Sequence, residues 1–463
     1  MISMQKIRSF VSRHRRGVTI TLSILIGLLG VTVVIGYIPF SSKIIERKVE
    51  QVLKESLNGR CEMGGLKVTL WKGVVIDKVR YASHDAYKNK PELSCDFPRV
   101  TVSYYLLPLL FKKLIINTVT VEKPIVEINS PPRPGTIKKT QSGGVKEKGG
   151  QELFVVALKQ ALSTLPYTVL IRKIAVKDCQ MIVMRDGKPM VSGRGIDLTL
   201  SVGIGRGLSI GGRLSSPELT LFESVRLSDC NVSIRSKGTE VSLYDCRAGL
   251  FKGELAMKGA ADLSTGTLTS FTLSLNGLSL EEWYRASGGA KGDVTGAFNA
   301  NVVLEKSELA VDSLKGKGWV RAISVSTQGT PLHKNLMLRL VIPKLEILKF
   351  DKIYSDLLIQ RGRITTGNFY GKGDPFDFNA KGWVGMDGRL SERVEGIFSA
   401  GFTASLAPIV RNSLLPVEKD KDRSAFKCTV QGTLENPQIE IDQRIVDRAV
   451  GNVFDALGKL FKR

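Results

Sequence analysis

The apolar residues of this chain follow three successive patterns. The first is an unbroken run, Val18 to Ile38, reading VTITLSILIGLLGVTVVIGYI, and no charge interrupts its 21 residues. A helix rising about 1.5 Å per residue covers about 30 Å over that length, the thickness of a bilayer core. Tyr37 and Pro39 sit where such a helix leaves the hydrocarbon. The run is longer than the apolar region of a cleaved signal peptide, and no Ala-x-Ala site follows it. The expectation is one uncleaved transmembrane signal anchor over 18–38. Residues 1–17 form a basic tail, with Lys6, Arg8, Arg13, Arg15 and Arg16 and no acid. Positive flanks stay on the cytoplasmic side, so the N-terminus is expected inside and the body outside. No later segment holds 18 uncharged apolar residues in a row.

The second pattern has helical spacing. Ile44, Ile45, Val49, Val52, Leu53 and Leu57 predict a helix from Ser41 to Asn58, stopped at Gly59. Leu153, Val156, Leu158 and Leu162 predict another from Glu152 to Leu165, ended by Pro166. Residues 129–151 between them (NSPPRPGTIKKTQSGGVKEKGGQ) are rich in Pro, Gly, Ser and Lys and read as a flexible loop.

The third pattern has period two, which gives a strand one apolar and one polar face. It starts with Leu66, Val68 and Leu70 and with Val119 and Val121 before Pro124, so that 41–128 reads as an N-terminal helix followed by strands. It then persists from Tyr167 to about Ile441, within a β-rich body over 152–442. Ile196, Leu198, Leu200 and Val202 form one row, and Phe271, Leu273 and Leu275 another. Val294, Gly296, Phe298, Ala300, Val302 and Leu304 make a long one, as do Phe398, Ala400, Phe402, Ala404 and Leu406. The last is Phe426, Cys428, Val430, Gly432 and Leu434. Asp186-Gly187, Thr265-Gly266 and Asp387-Gly388 mark turns, Thr265-Gly266 being the weakest signal. One helical interruption is expected near His333 to Leu348. Helical spacing returns over 443–463. There Val446, Val450, Val453, Phe454, Leu457, Leu460 and Phe461 give an amphipathic helix with a basic end at Lys459, Lys462 and Arg463. Such a helix either caps the sheet or lies on a membrane or partner.

The predicted fold is thus mostly β with an N-terminal transmembrane helix. Its body is an elongated, curved antiparallel sheet with a few amphipathic helices, and the sheet's apolar face has to be covered. It either closes on itself or leaves an apolar groove or partly open barrel that something apolar fills.

Charge and chemistry narrow the function. The net charge is +23, and the first 16 residues supply five of those positive charges, so the exported part is basic too. An exported chain seldom meets nucleic acid, which leaves anionic lipid headgroups as the expected partner of that charge. The six cysteines (Cys61, Cys95, Cys179, Cys230, Cys246 and Cys428) include no CxxC pair. Cys230 and Cys246 are the nearest in sequence, and core packing explains the cysteines as well as pairing does. His14, His84 and His333 are too scattered for a zinc site or a triad. Gly203-Ile-Gly-Arg-Gly207 shares three glycines with a dinucleotide motif but precedes strand and turn residues, not a helix. No other catalytic or phosphate-binding motif occurs, so neither an enzyme nor a cofactor is expected.

Three stretches carry a family resemblance. The first is GGLKVTLWKGVVIDKVRYAS followed by VTVSYYLLPLLFKKLIINTVTVEKPIVEI. The second is LYDCRAGLFKGELAMKGAADLSTGTLTSFTLSLNGLSLEEW. The third is IYSDLLIQRGRITTGNFYGKGDPFDFNAKGWVGMDGRLSERVEGIFSA with FKCTVQGTLENPQIEID, which contains a closing turn at Gly432, Thr433 and Pro437. In order and spacing these resemble the AsmA family of Gram-negative envelope proteins over nearly the whole chain after the anchor. The resemblance implies an inner-membrane anchor, a periplasmic body and a role in outer-membrane biogenesis. The family's larger members are regarded as lipid carriers with a long apolar β-groove, which favours the groove over the closed sheet. On that reading phospholipid is the partner, and Phe298, Val302, Phe376, Phe378, Phe398, Phe402, Phe426 and Val430 are the expected lining residues. The alternative is a non-enzymatic scaffold or assembly factor that docks on outer-membrane or other envelope proteins.

Overall fold

A computed structural model describes residues 59–69, 73–83, 92–105, 108, 113–130, 168–204, 208–290, 292–330 and, with short gaps, 334–460. The anchor over 18–38, the helices predicted over 41–58 and 152–165, and all three histidines lie outside the described residues. Among the described residues no helix is long and apolar enough to cross a membrane. The described part is mostly β with few helices, and the chain divides into two compact units, Met1–Val202 and Gly203–Arg463. That division falls inside the segment the sequence suggests is one body.

The first unit contains β1 (Gly59–Thr69), β2 (Gly73–Ser83), β3 (Glu92–Tyr105), β4 (Lys113–Glu122), β5 (Ile125–Ser130), β6 (Thr168–Arg185) and most of β7 (Lys188–Ile204). Strands β1, β2 and β3 form an antiparallel meander. One edge of β3 pairs with both β4 and β5. These two are one strand line broken at Pro124, which has no N–H to give the ladder. Lys123 takes a left-handed φ of 52° at the break. The bonds Lys123 N to Lys177 O and Gln180 N to Pro124 O, both 2.8 Å, stitch it to β6. β6 runs parallel to β4 and β5, a departure from the antiparallel pattern. A parallel pair needs a long crossover, and residues 131–167 supply the length. Asn129 and Ser130, predicted as loop, belong to β5.

The second unit is antiparallel throughout its described pairings. Its long strands are β8 (Leu208–Leu221), β9 (Val225–Lys237), β10 (Glu240–Leu250), β11 (Gly253–Asp262), β12 (Thr267–Ser279) and β13 (Val294–Leu304). They continue as β15 (Gly316–Thr327), β16 (Leu348–Gln360), β17 (Arg363–Asp374), β18 (Phe376–Gly385), β19 (Arg389–Phe398), β21 (Asp420–Thr433) and β22 (Pro437–Ile441). The short β14 (Ser307–Glu308) and β20 (Leu415–Val417) lie beside β12 and β21. The turns predicted at Thr265-Gly266 and Asp387-Gly388 are present, as is Asp186-Gly187 in the first unit.

Helices interrupt this meander, two of them started by serine caps. α1 (Leu280–Ala286) follows Ser279, whose hydroxyl accepts from Glu282 N at 3.3 Å, with Glu281 and Glu282 in its first turn. Lys334, Leu336 and Leu340 are helical, inside the predicted interruption. α2 (Ala400–Ser405) follows Ser399, which accepts from Phe402 N, and α3 (Pro408–Ser413) opens on its proline. This corrects the strand predicted from Phe398 through Leu406: β19 ends at Phe398. The spacing of Phe398, Phe402 and Leu406 satisfies i, i+4 as well as period two, and the Ser399 cap decides for the helix. Leu434, read as the end of another row, is an exposed turn residue. α4 (Gln443–Leu460) closes the described chain.

Candidate functional site

The register of the second unit aligns its apolar residues into rows that cross the strands. One row runs Leu214, Val232, Cys246, Met257, Leu273, Val302, Gly318 and Leu357 from β8 to β16. It continues through Thr366, Gly382, Glu392, Val430 and Ile439 to β22. Neighbouring positions carry Arg213, Arg247, Lys258 and Asn301 to the opposite, polar face. The sheet therefore has one apolar face over its whole width.

That face is covered unequally. Over β16 to β22 it is a closed core. Leu336, Leu340, Ile342 and Leu345 lie over it, together with Leu406, Leu414, Leu415 and Ile445. Over β8 to β13 fewer apolar residues are buried: the small cluster Leu227, Cys230 and Ala248, and singly Cys246, Leu268, Leu278 and Ala300. Leu214, Val232, Leu243, Met257, Phe271 and Leu273 there are half-buried, and Ile234 is 39% exposed. Water reaches an apolar surface along these strands.

The predicted lining residues divide along the same line. Val302 and Phe298 lie on β13, half-buried on the apolar face, and Phe298 packs against the core cluster of the closed part. Phe378 and Val430 are half-buried against the core cluster. Phe376, Phe398 and Phe426 line no open surface: they are 4%, 0% and 1% exposed, with ring centroids 5.2–5.7 Å apart. Phe402, on α2 and not on a strand, stacks on Phe398 at 5.2 Å. Sequence reasoning chose mainly aromatic positions, and most of these belong to the closed part of the face. The open part is built from Leu, Val, Ile and Met, with Phe271 among them.

One ionisable group interrupts the closed part. Glu392 is 9% exposed, and its Oε1 accepts from Thr366 Oγ1 at 2.8 Å. Its Oε2 has no partner, and burial pushes its pKa up against the smaller opposing effect of the Thr366 bond.

The terminal helix is docked on the β-body. α4 is docked by Ile445, 6% exposed in the core. Arg448 donates to Leu414 O at 3.0 Å and Asn452 to Ser413 Oγ at 3.1 Å. The predicted apolar side is turned outward at Val446 and Val450, which are 41% and 49% exposed. The side chains of Val453, Phe454, Leu457 and Leu460, and all of Phe461, lie outside the described residues.

Cys95, Cys179, Cys230, Cys246 and Cys428 are free and buried. Burial pushes the Cys95 thiol up to about 11, with the neighbouring Cys179 adding to the shift. Burial alone pushes Cys428 up to about 11. Such thiols are inert at neutral pH. Gly203 ends up in β7, and 205–207 lie outside the described residues. Among the described residues no cluster of three or more His, Cys, Asp or Glu could hold a metal ion. In comparisons with known proteins, no family model and no curated sequence matches the chain.

Proposed function

We propose that the chain is a non-enzymatic lipid-handling protein that carries phospholipid along the apolar face of β8 to β13. It is held in the inner membrane by residues 18–38, with its β-body in the periplasm, and serves outer-membrane biogenesis. The observation that carries the reading is the row in which Leu214, Val232, Met257, Leu273 and Val302 are half-buried and Cys246 alone is buried, on a sheet whose other face is polar. Apolar surface left in water costs about 25 cal/mol per Å². An acyl chain on this row removes that cost, and also its own cost of about 0.8 kcal/mol per exposed methylene. A row without directional polar groups holds such a chain at no fixed point, so a lipid can slide. The resemblance to the AsmA family supplies the envelope setting.

A photocrosslinking side chain placed at Leu273 tests this in cells. The expected product is a phospholipid adduct, with none from the same group at Ser274 on the opposite face. Native mass spectrometry of the full-length chain that finds an intact fold and no lipid would overturn the reading. A second reading, a scaffold docking through α4, is favoured by one observation: Val446 and Val450 face outward while Ile445 holds the helix down.

A further inference from the structure

At the turn end of β8 to β11 the second unit has a solvent-open cavity of about 670 Å³. It is lined by Arg226, Lys252 and Arg285 and by Glu218 and Glu282. Leu227 and Leu250 also reach it, and both belong to the apolar cluster of β8 to β11. Lys252 Nζ is 2.8 Å from Glu282 Oε1, and Arg285 Nη1 is 3.7 Å from the same oxygen. Arg226 Nε is 4.0 Å from Glu218 Oε1. Three cations share two carboxylates, so the lining carries one positive charge in excess.

Two turns at this end are built against backbone preference. The two-residue turn between β10 and β11 is Phe251-Lys252, with φ of 47° and 64°. Both positions favour Gly, Asn or Asp. The turn between β8 and β9 puts Phe222 and Glu223 at 49° and 66°. The first of these strained turns carries Lys252 into the cavity lining. The second leaves Phe222 62% exposed, and Trp283 on α1 is 49% exposed close by in sequence to Glu282 and Arg285. Aromatic side chains among cations are the composition of a surface that meets lipid headgroups.

We propose that this cavity binds the phosphodiester of an anionic lipid whose acyl chains lie on the adjoining apolar face. The proposal rests on the lipid reading above and names its ligand class. A phosphodiester brings the single negative charge that the lining lacks. Arg226 and Lys252 hold the phosphate by charge-assisted hydrogen bonds. Leu227 and Leu250 meet the first methylenes.

The test uses the full-length chain in detergent and three probes: fluorescent phosphatidylglycerol, a diacylglycerol with the same tails and fluorophore, and inorganic phosphate. Wild type is expected to bind phosphatidylglycerol at least ten-fold more tightly than the diacylglycerol. R226Q/K252Q should erase that difference without weakening the diacylglycerol. Lys252→Gly should weaken phosphatidylglycerol too, while raising the melting temperature, because glycine relieves the turn. It separates a binding loss from misfolding. Failure of wild type to bind either lipid overturns the lipid reading and this site with it. Equal binding of both lipids, unchanged in the variants, leaves the lipid reading standing and overturns the site. Inorganic phosphate bound as tightly as phosphatidylglycerol would make the cavity a free-phosphate site and overturn the lipid assignment.

Discussion

Thr366 of β17 donates a 2.8 Å hydrogen bond to Glu392 of β19, across the intervening strand β18. The bond passes over Gly382, the residue paired with both. A Cβ on Gly382 would lie 2.8 Å from Glu392 Oε2 and 2.0 Å from Ser391 O. The glycine is thus the gap through which a carboxyl group reaches a hydroxyl two strands away. Gly382→Ala should break the bond and strain the β18–β19 ladder, lowering the melting temperature by several degrees. An unchanged melt would show that the strands part without cost.

The same carboxyl predicts a pH dependence. Burial raises its pKa in the folded state above the ordinary value of 4.5. The folded protein therefore holds this proton more tightly than the unfolded chain does. The group's contribution to stability is complete below pH 4.5 and is lost as pH rises through the raised value. Glu392→Gln keeps the acceptor for Thr366 and removes the charge. It should stabilise the fold at neutral pH, where the wild-type carboxyl is charged in a buried site, and have little effect at pH 4. Thermal melts of both proteins across that range check it, and a pH-independent difference would sink it.

The division of the apolar face into open and closed parts predicts two outcomes for one kind of change. Leu273→Glu lies in the half-exposed part and should abolish lipid co-purification while leaving the protein folded. Phe402→Glu puts a charge against Phe398 in the closed core and should prevent accumulation of the folded protein. Phe398→Ala should cost about 3–5 kcal/mol through the cavity it leaves. Lipid analysis and melting curves on the three variants separate the two parts. Loss of folding in Leu273→Glu would mean that its row is core too.

The period-two rows were legible because one face of each strand is apolar, and the structure keeps Phe271 to Leu275, Val294 to Leu304 and Phe426 to Gly432 as strands. The reading failed after Phe398, where the same residues fit both periods and a single serine cap chose between them. Parallel pairing of β6 with β4 and β5 carries no local pattern: Val119 and Ile174 alternate like any strand residues, and their pairing is a long-range choice. The lining was misplaced for a different reason. Alternation shows which face is apolar, but not which part of that face another segment covers. That depends on where Leu340, Leu345 and Ile445 land.

Buried thiols give a chemical check on the core. Cys95 and Cys428, pushed up to about 11, carry almost no thiolate at neutral pH. Both should resist maleimide in the native protein at pH 7 and react within minutes in denaturant, as followed by mass spectrometry of peptides. Rapid native labelling of Cys428 would mean that the closed part of the face opens.

The terminal helix separates docking from outward function. Its i, i+3, i+7 line of Ile445, Arg448 and Asn452 faces the body, and Val446 and Val450 face away. Arg448→Ala leaves Leu414 O without its donor and should cost about 1–3 kcal/mol, the penalty for an unmet partner of a charged donor. Val446→Glu with Val450→Glu touches no docked group and should leave the melting curve unchanged. If the outward side meets a membrane or a partner, the double variant loses that contact. Flotation with anionic vesicles reads the membrane, and in-cell crosslinking from residue 450 reads a protein. An unaltered double variant in both assays would reduce α4 to a cap on the β-body.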